Sequence, residues 1–454
     1  MVKIGLEIHG YLTTKEKLFC KCKNAHKDKE VKPNTLICPT CTGQPGSKPM
    51  LPNEEAIKKI IQIGLMLDCK INIKDKLVWN RKHYSWPDLP KGYQITMSGA
   101  YSIPLGEKGK FEDIRITEVH LEEDPAAWDP ESGCVDYNRS GIPLVEIVTE
   151  PDFTSSEQVI SWLKKLTLTL AYIKSLDTNA GIKADVNVSI AKNKFERVEI
   201  KNLSSLENIR KAIEHEIQRQ EKEPVKRETR RYDPIKDKTV AMRDKEQAED
   251  YRFIPDPDLP IIKINEKQVM EIKKQLPESP QQKINKLIRE YKLEKKQADI
   301  ITQNLELVEF FEKVAEKINP KFALPWITTE LLRVLNYNKK TLNEVSINPE
   351  HFIELLEAVK SSKITELKAK QILNEFVPSS FSLKKRLEKE STIDNKSEIE
   401  EIVKEVIKKN PKAVQDYKSG EKNALNFLIG EIMKSSNKRA DYPTSKIILL
   451  KHLK

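Results

Sequence analysis

The stretch from Glu118 to Asp152, EVHLEEDPAAWDPESGCVDYNRSGIPLVEIVTEPD, restricts the fold more than any other part of the chain. It reads as strand, turn and strand, and it crowds His120, Glu122, Glu123, Asp124, Asp136, Glu146, Glu150 and Asp152 into one span. Its second half alternates. Ile142, Leu144, Glu146, Val148 and Glu150 fall on one side of an extended segment and Pro143, Val145, Ile147 and Thr149 on the other, because strand side chains repeat every second residue. Carboxylates that interrupt an apolar strand face suit a hard cation such as Mg2+, which takes oxygen ligands. Solvated acidic turns would produce the same pattern.

A second constraint comes from cysteine spacing. Cys20, Cys22, Cys38 and Cys41 form two close pairs, C-x-C and C-P-T-C, while Cys69 and Cys134 stand apart. The N-terminus, MVKIGLEIHG, passes straight into a strand-like pattern without a signal peptide, so the chain reads as cytoplasmic and disulfides are not expected. Two close pairs separated by a loop fit a structural four-cysteine zinc site, which folds its loop and leaves no open position for catalysis.

At 454 residues the chain is long enough for two to four domains. No apolar run approaches the roughly 20 residues that span a bilayer. The net charge is +10, and from Phe381 to Lys454 there are 17 Lys and Arg against 11 Asp and Glu, 17 − 11 = +6. A basic terminal region suits a polyanion such as RNA.

Along the chain, residues 2 to 12 read as a strand with Glu7 and His9 on one face. A helix is expected from about Glu54 to Leu67. Thr154 and Glu157 read as a capping box ahead of a helix striped by Val159, Ile160, Leu163, Leu166, Leu170 and Ile173. DVNVSI and ERVEIKNLSS alternate like a hairpin, a polar helix covers about Leu206 to Gln220, and KRETRRYDPIKDKTVAMRDK reads as irregular. YRFIPDPDLP marks a boundary, and beyond about Ile262 short helices are expected over Leu305–Ile318, Thr328–Leu335, Phe352–Val359 and Ile364–Val377. After a seam near Pro378, Ile399, Ile402, Val403, Val406 and Ile407, then Leu425, Leu428, Ile429, Ile432 and Met433, keep helical spacing.

The chain lacks a G-x4-G-K-[ST] phosphate loop, a G-x-G-x-x-G fingerprint and a G-x-S-x-G elbow. If it binds a nucleotide, carboxylates and a metal must hold it. In order, GLEIHG, the two cysteine pairs, SWPDLPKGYQI, HLEED, DYNRSGIPLVEIVTEPD, VEIKNLSS, ETRRYD and YRFIPDPDLP closely resemble the B subunits of the tRNA-dependent amidotransferases, and GEKNALNFLIGEIMK is similar to that family's C-terminal domain. The resemblance covers nearly the whole chain.

It implies an α+β protein with three domains: a mixed-sheet cradle with a zinc loop (1–262), an all-α helical domain (263–378) and a small YqeY-like helical tail that binds tRNA (379–454). It also implies ATP, Mg2+ and structural Zn2+ as cofactors, and amidotransferase subunits A and C as partners in a heterotrimer. The substrate would be tRNA(Gln) or tRNA(Asn) misacylated with Glu or Asp. In that family ATP phosphorylates the side-chain carboxylate and glutamine-derived ammonia displaces the phosphate. Carried over by motif, Glu7, His9, Glu122 or Glu123, and Glu150 would form the metal and kinase site. Asp185 departs from the family's usual run but would join them. Arg139, Ser140, Lys201 and Asn202 would contact phosphates or the acceptor end. The alternatives are an archaeal E-type subunit specific for Glu-tRNA(Gln), and a non-catalytic zinc-stabilised RNA-binding scaffold.

Overall fold

Alternation along one strand builds the centre of the N-terminal unit. In the computed structural model, strand β1 (Val2–Tyr11) buries Ile4, Leu6 and Ile8 and leaves Glu7 and His9 half-exposed. It lies between β9 (Pro143–Thr149) and β10 (Lys183–Ile190), antiparallel to both. The structure describes residues 1–24, 31–73, 77–177, 181–242, 251–384, 386, 393 and 395–453, with the backbone alone at Asn202 and Lys422.

From β9 the sheet continues through β6 (Ile114–Glu123), β4 (Tyr93–Thr96) and β3 (Asn80–His83) to an edge at β14 (Arg252–Pro255). From β10 it continues through β11 (Val198–Leu203) and β12 (Glu228–Asp233) to the other edge at β13 (Lys238–Ala241). Two more strands, β2 (Lys70–Ile71) and β5 (Gly106–Phe111), attach beside β6, and the pairing of β11 with β12 is parallel, so the sheet is mixed. A separate ribbon pairs β7 (Ala127–Trp128) with β8 (Val135–Asp136).

Helices α1 (Glu54–Met66), α2 (Ser156–Tyr172) and α3 (Leu206–Lys222) supply the partners of the sheet's apolar side. Ile60 and Ile63, Leu163, Leu166 and Leu170, and Ile209 and Ile213 join the strand residues in one core. Each such side chain contributes about 1.5–3 kcal/mol when fully buried. The cap of α2 is shifted by one residue from the expected box. Ser155 accepts from Gln158 N at 3.2 Å, while Thr154 N donates to the Gln158 side chain.

KRETRRYDPIKDKTVAMRDK is not irregular where it is described: β12 and β13 form an antiparallel hairpin, and its last three residues, 243–245, lie outside the described residues. Charge pairs tie the hairpin to α3. Arg219 of α3 bridges the buried Glu216 and Glu228, and Arg230 donates to Glu228 and to the Thr239 carbonyl. The first compact unit also extends past the proline-rich seam, from Met1 to Ser279. Helix α4 (Glu266–Lys274) belongs to it because Val269, Ile272 and Leu276 pack on the same core.

The second unit, Pro280–Lys454, is helical and holds two apolar clusters. One is built on α5 (Pro280–Tyr291), α6 (Lys295–Ile301) and α7 (Leu305–Ala315), with α8 (Pro320–Pro325), α9 (Leu332–Tyr337), α10 (Pro349–Lys360) and α11 (Glu366–Asn374). The other draws Ile399, Val403 and Val406 of α12 (Lys396–Lys409) against Leu428, Ile429 and Ile432 of α14 (Lys422–Ser435), as the helical spacing predicts. Between those two lies α13 (Pro411–Lys418), and α15 (Tyr442–Leu453) closes the chain. Among the described residues no helix is long and apolar enough to cross a membrane.

A charged triad ties α5 to α7. Lys283 Nζ and Lys286 Nζ lie 2.7 and 3.0 Å from the Glu312 carboxylate. Burial opposes ionisation of Glu312, but the two lysines outweigh it and hold its pKa below the usual value. The lowered folded-state pKa means that this stabilisation is complete above the ordinary carboxylate range and fades as pH falls through the folded value. Glu312→Gln should therefore destabilise the helical unit by about 1.5–3 kcal/mol at pH 7, and the difference from the native chain should shrink toward pH 3. Urea denaturation at both pH values checks this.

Candidate active site

Because β10, β1, β9 and β6 are neighbours in register, their polar sides form one continuous face. His9 stands opposite Glu146, Glu146 opposite His120, and Glu7 opposite Asp185. Two groups of metal-ligating side chains result. His9, Glu122 and Glu146 form one and Glu7, Asp185 and Glu199 the other, and in each group the ligand atoms lie within 4.8 Å of one another.

The first group centres on Glu146. Its Oε2 is 3.0 Å from His120 Nε2 and 3.6 Å from His9 Nε2, and Glu122 Oε1 is 3.9 Å from His9. His120 is fully buried, with Nδ1 3.2 Å from Glu118. Burial works against charge on both imidazoles, yet the hydrogen bonds and field of the glutamates prevail, raising His9 to about 9 and His120 to about 10. Glu122 moves the other way from a normal acid: burial, then repulsion from Glu146, raises its pKa. Burial also opposes ionisation of Glu146, but His120 and then His9 hold it well below the ordinary value. The raised imidazole values answer a dense negative charge, the kind of charge that also attracts a divalent cation.

The second group lies one strand away. Burial, then Glu146, Glu199 and Asp185, raise the pKa of Glu7, against a 3.1 Å hydrogen bond from Asn187 Nδ2. Lys201 Nζ sits 3.4 Å from Glu199 and 3.9 Å from Asp185. The carboxylates fit Mg2+, a hard cation that prefers oxygen donors and retains open positions for phosphate oxygens.

The other expected residues are placed differently. Glu123 points to the opposite face from Glu122, as adjacent strand residues must. There it is buried, pairs with Lys91 and accepts from Ile95 N at 3.1 Å. Glu150 lies beyond the end of β9, about 13 Å along the strand from Glu146. Its carboxylate accepts from Thr117 Oγ1 at 2.9 Å and belongs to neither group.

Arg139 is committed to its own loop, donating to the Pro125 and Ala126 carbonyls and pairing with the buried Asp124 at 3.2 Å. Burial raises the pKa of Asp124 despite Arg139, and lowers that of Lys183, which donates to Tyr11 Oη at 3.1 Å. Ser140 Oγ donates to the Cys41 carbonyl at 2.8 Å, joining the acidic span to the cysteine loop. Asn202 lies in β11, and its side chain is outside the described residues.

Glu146 and Glu199 thus join the two candidate ligand groups, with His120 hydrogen-bonded to Glu146, although motif matching passes over all three. Parity was the available signal for Glu146 and His120: Glu146 shares a face with Leu144, and His120 with Glu122. Glu199 carries no such mark, because only the pairing of β10 with β11 brings it beside Asp185.

The four cysteines converge, with all sulfurs within 4.8 Å of one another and the Cys38 and Cys41 Sγ atoms 3.9 Å apart. A zinc–sulfur bond of about 2.3 Å in tetrahedral geometry requires sulfur atoms about 3.8 Å apart, so the cluster fits such an ion. Cys41 ionises well below the usual thiol range, first through the hydrogen bond from Cys20 and then through Cys38 and the Lys17 ammonium. A thiolate is the form that binds metal.

A family model described as the GatB/GatE catalytic domain matches residues 2–270, and one described as the GatB domain matches residues 309–453. The B subunit of the aspartyl/glutamyl-tRNA(Asn/Gln) amidotransferase of Methanothermobacter thermautotrophicus is 43% identical, covering 99% of both chains. Proteins of the same name from Methanopyrus kandleri and Methanocaldococcus jannaschii are 41% and 42% identical over 100% and 99% of this chain, and 98% and 97% of theirs. Matched end to end at this identity, the chain belongs to the family of aspartyl/glutamyl-tRNA(Asn/Gln) amidotransferase B subunits.

Proposed function

We propose that this protein uses ATP to phosphorylate the side-chain carboxylate of Glu-tRNA(Gln), Asp-tRNA(Asn) or both. Ammonia from glutamine, released by an A-type partner in a complex that also holds a C-type subunit, then displaces the phosphate to give the amide. The observation that carries this reading is the pair of adjacent ligand groups on one sheet face, His9–Glu122–Glu146 and Glu7–Asp185–Glu199.

The chemical need is plain. A carboxylate resists ammonia because it is anionic and its oxygen leaves poorly, and phosphorylation removes both obstacles. Bringing anionic ATP to an anionic substrate requires positive charge, and Mg2+ held by these groups would neutralise and align the phosphates. Glu7, Glu122 and Glu146 supply the anionic ligands, while His120 orients Glu146 from beneath. Lys201 stands beside the second group, where an ammonium suits a phosphoryl oxygen. The basic tail, 379–454, is read as a further tRNA contact through phosphates. Zinc at Cys20, Cys22, Cys38 and Cys41 would be structural and, through Ser140, would steady the loop carrying Arg139 and Asp124.

In the complex reconstituted with its A and C partners, ATP turnover should require charged tRNA and Mg2+, and Glu122→Gln should lower it by about 100-fold or more. Glu150→Ala should leave turnover within severalfold of native, and the reverse ranking would relocate the site. Elemental analysis should find about one zinc per chain, lost together with several degrees of Tm in Cys41→Ser. Retention of the metal in that variant would sink the four-thiolate assignment.

A further inference from the structure

Trp86 and Trp128 come from segments far apart in sequence, yet their rings lie 6.0 Å apart at 57°. Trp86 is 44% exposed, so its ring is partly open to a ligand. Both segments are held firmly. Trp86 precedes Pro87, which restricts its backbone, and its carbonyl accepts from Leu89 N at 3.2 Å. Ala126 N donates to the Asp88 carbonyl at 2.8 Å, joining the two segments, and Trp128 is fixed in the β7–β8 ribbon.

The Trp86 segment is linked to the strands that carry the acidic face. Two residues before Trp86, Tyr84 Oη donates to Gln94 Oε1 at 3.4 Å, and Gln94 Nε2 donates to the Glu123 carbonyl at 2.9 Å, next to Glu122. Tyr84 and Tyr251 meet edge to face at 5.5 Å, and the Glu122 carboxylate acts on the Tyr84 hydroxyl. Beside Trp86, Asp88 Oδ1 is buried and has no hydrogen-bond partner among the described residues. It is an acceptor still available to a donor such as an exocyclic amine.

We infer that Trp86 and Trp128 form the stacking platform for the terminal adenine of the tRNA acceptor end, with Asp88 as acceptor for its amino group. This rests on the carboxyl-activation reading given above. In that reaction the amino acid is esterified to the terminal nucleoside, so its base must rest within one nucleoside's length of the ligand groups. An unpaired base offers a flat face that aromatic side chains take up. The exposure of Trp86 favours a base arriving on a polymer over the adenine of ATP, because small ligands are usually enclosed.

The test measures binding of the full chain to three ligands: tRNA with an intact CCA end, the same tRNA lacking its terminal adenosine, and ATP with Mg2+. Trp86→Ala should weaken intact tRNA by about 5- to 100-fold, with Trp86→Tyr close to native. The shortened tRNA should bind native chain and variant alike, and ATP affinity should not change. Equal loss for both tRNAs, a loss for ATP alone, or no loss at all would overturn the inference while leaving the carboxyl-activation reading intact. If the reconstituted native complex fails to couple ATP turnover to charged tRNA, both fall together.

Discussion

Everything in the N-terminal unit depends on the two-residue alternation of β1 between its antiparallel neighbours. Ile4, Leu6 and Ile8 anchor the sheet to α1, α2 and α3, and the same register sets Glu7 and His9 in line with Asp185 and Glu146. A slip by one residue would expose the core and bury the acidic groups at once. The apolar side therefore fixes the geometry of the polar side, and burying it offsets the cost of crowding five carboxylates on one face.

The charge balance of that face follows from the same register. His120 is almost completely buried, where an imidazolium would be costly without anionic partners. Glu146 and Glu118 stand on either side of its ring. Glu146 in turn is shared with His9, so the ionisation of four side chains is linked across three strands. A change at one of them alters the charge that the others can carry.

Much of this was legible from the chain. Parity put Glu7 with His9, the cysteine spacing brought four sulfurs together, and the apolar stripes of α2, α12 and α14 matched their buried faces. What escaped depends on partners distant in sequence. Choosing between Glu122 and Glu123 required knowing which side of β6 faces the helices. Glu150 looked equivalent to Glu146 by parity, but a register irregularity between Ile116 and Glu118 and the end of β9 at Thr149 carry it elsewhere. The β12–β13 hairpin was hidden because Arg230 looks solvated until Glu228 and, from α3, Glu216 are seen to receive it.

Among the described residues the sheet also ends in strands poorly suited to accept another. At one edge β14 is four residues long and closes on Pro255, which has no N–H to offer, with Pro257 and Pro260 following. At the other, β13 is equally short and opens with the exposed Lys238. Along these described strands a visiting chain would find few main-chain donors and acceptors with which to lengthen the sheet. Association with other macromolecules is thereby directed to side-chain surfaces, where shape and charge can discriminate, and away from backbone pairing, which accepts almost any extended peptide.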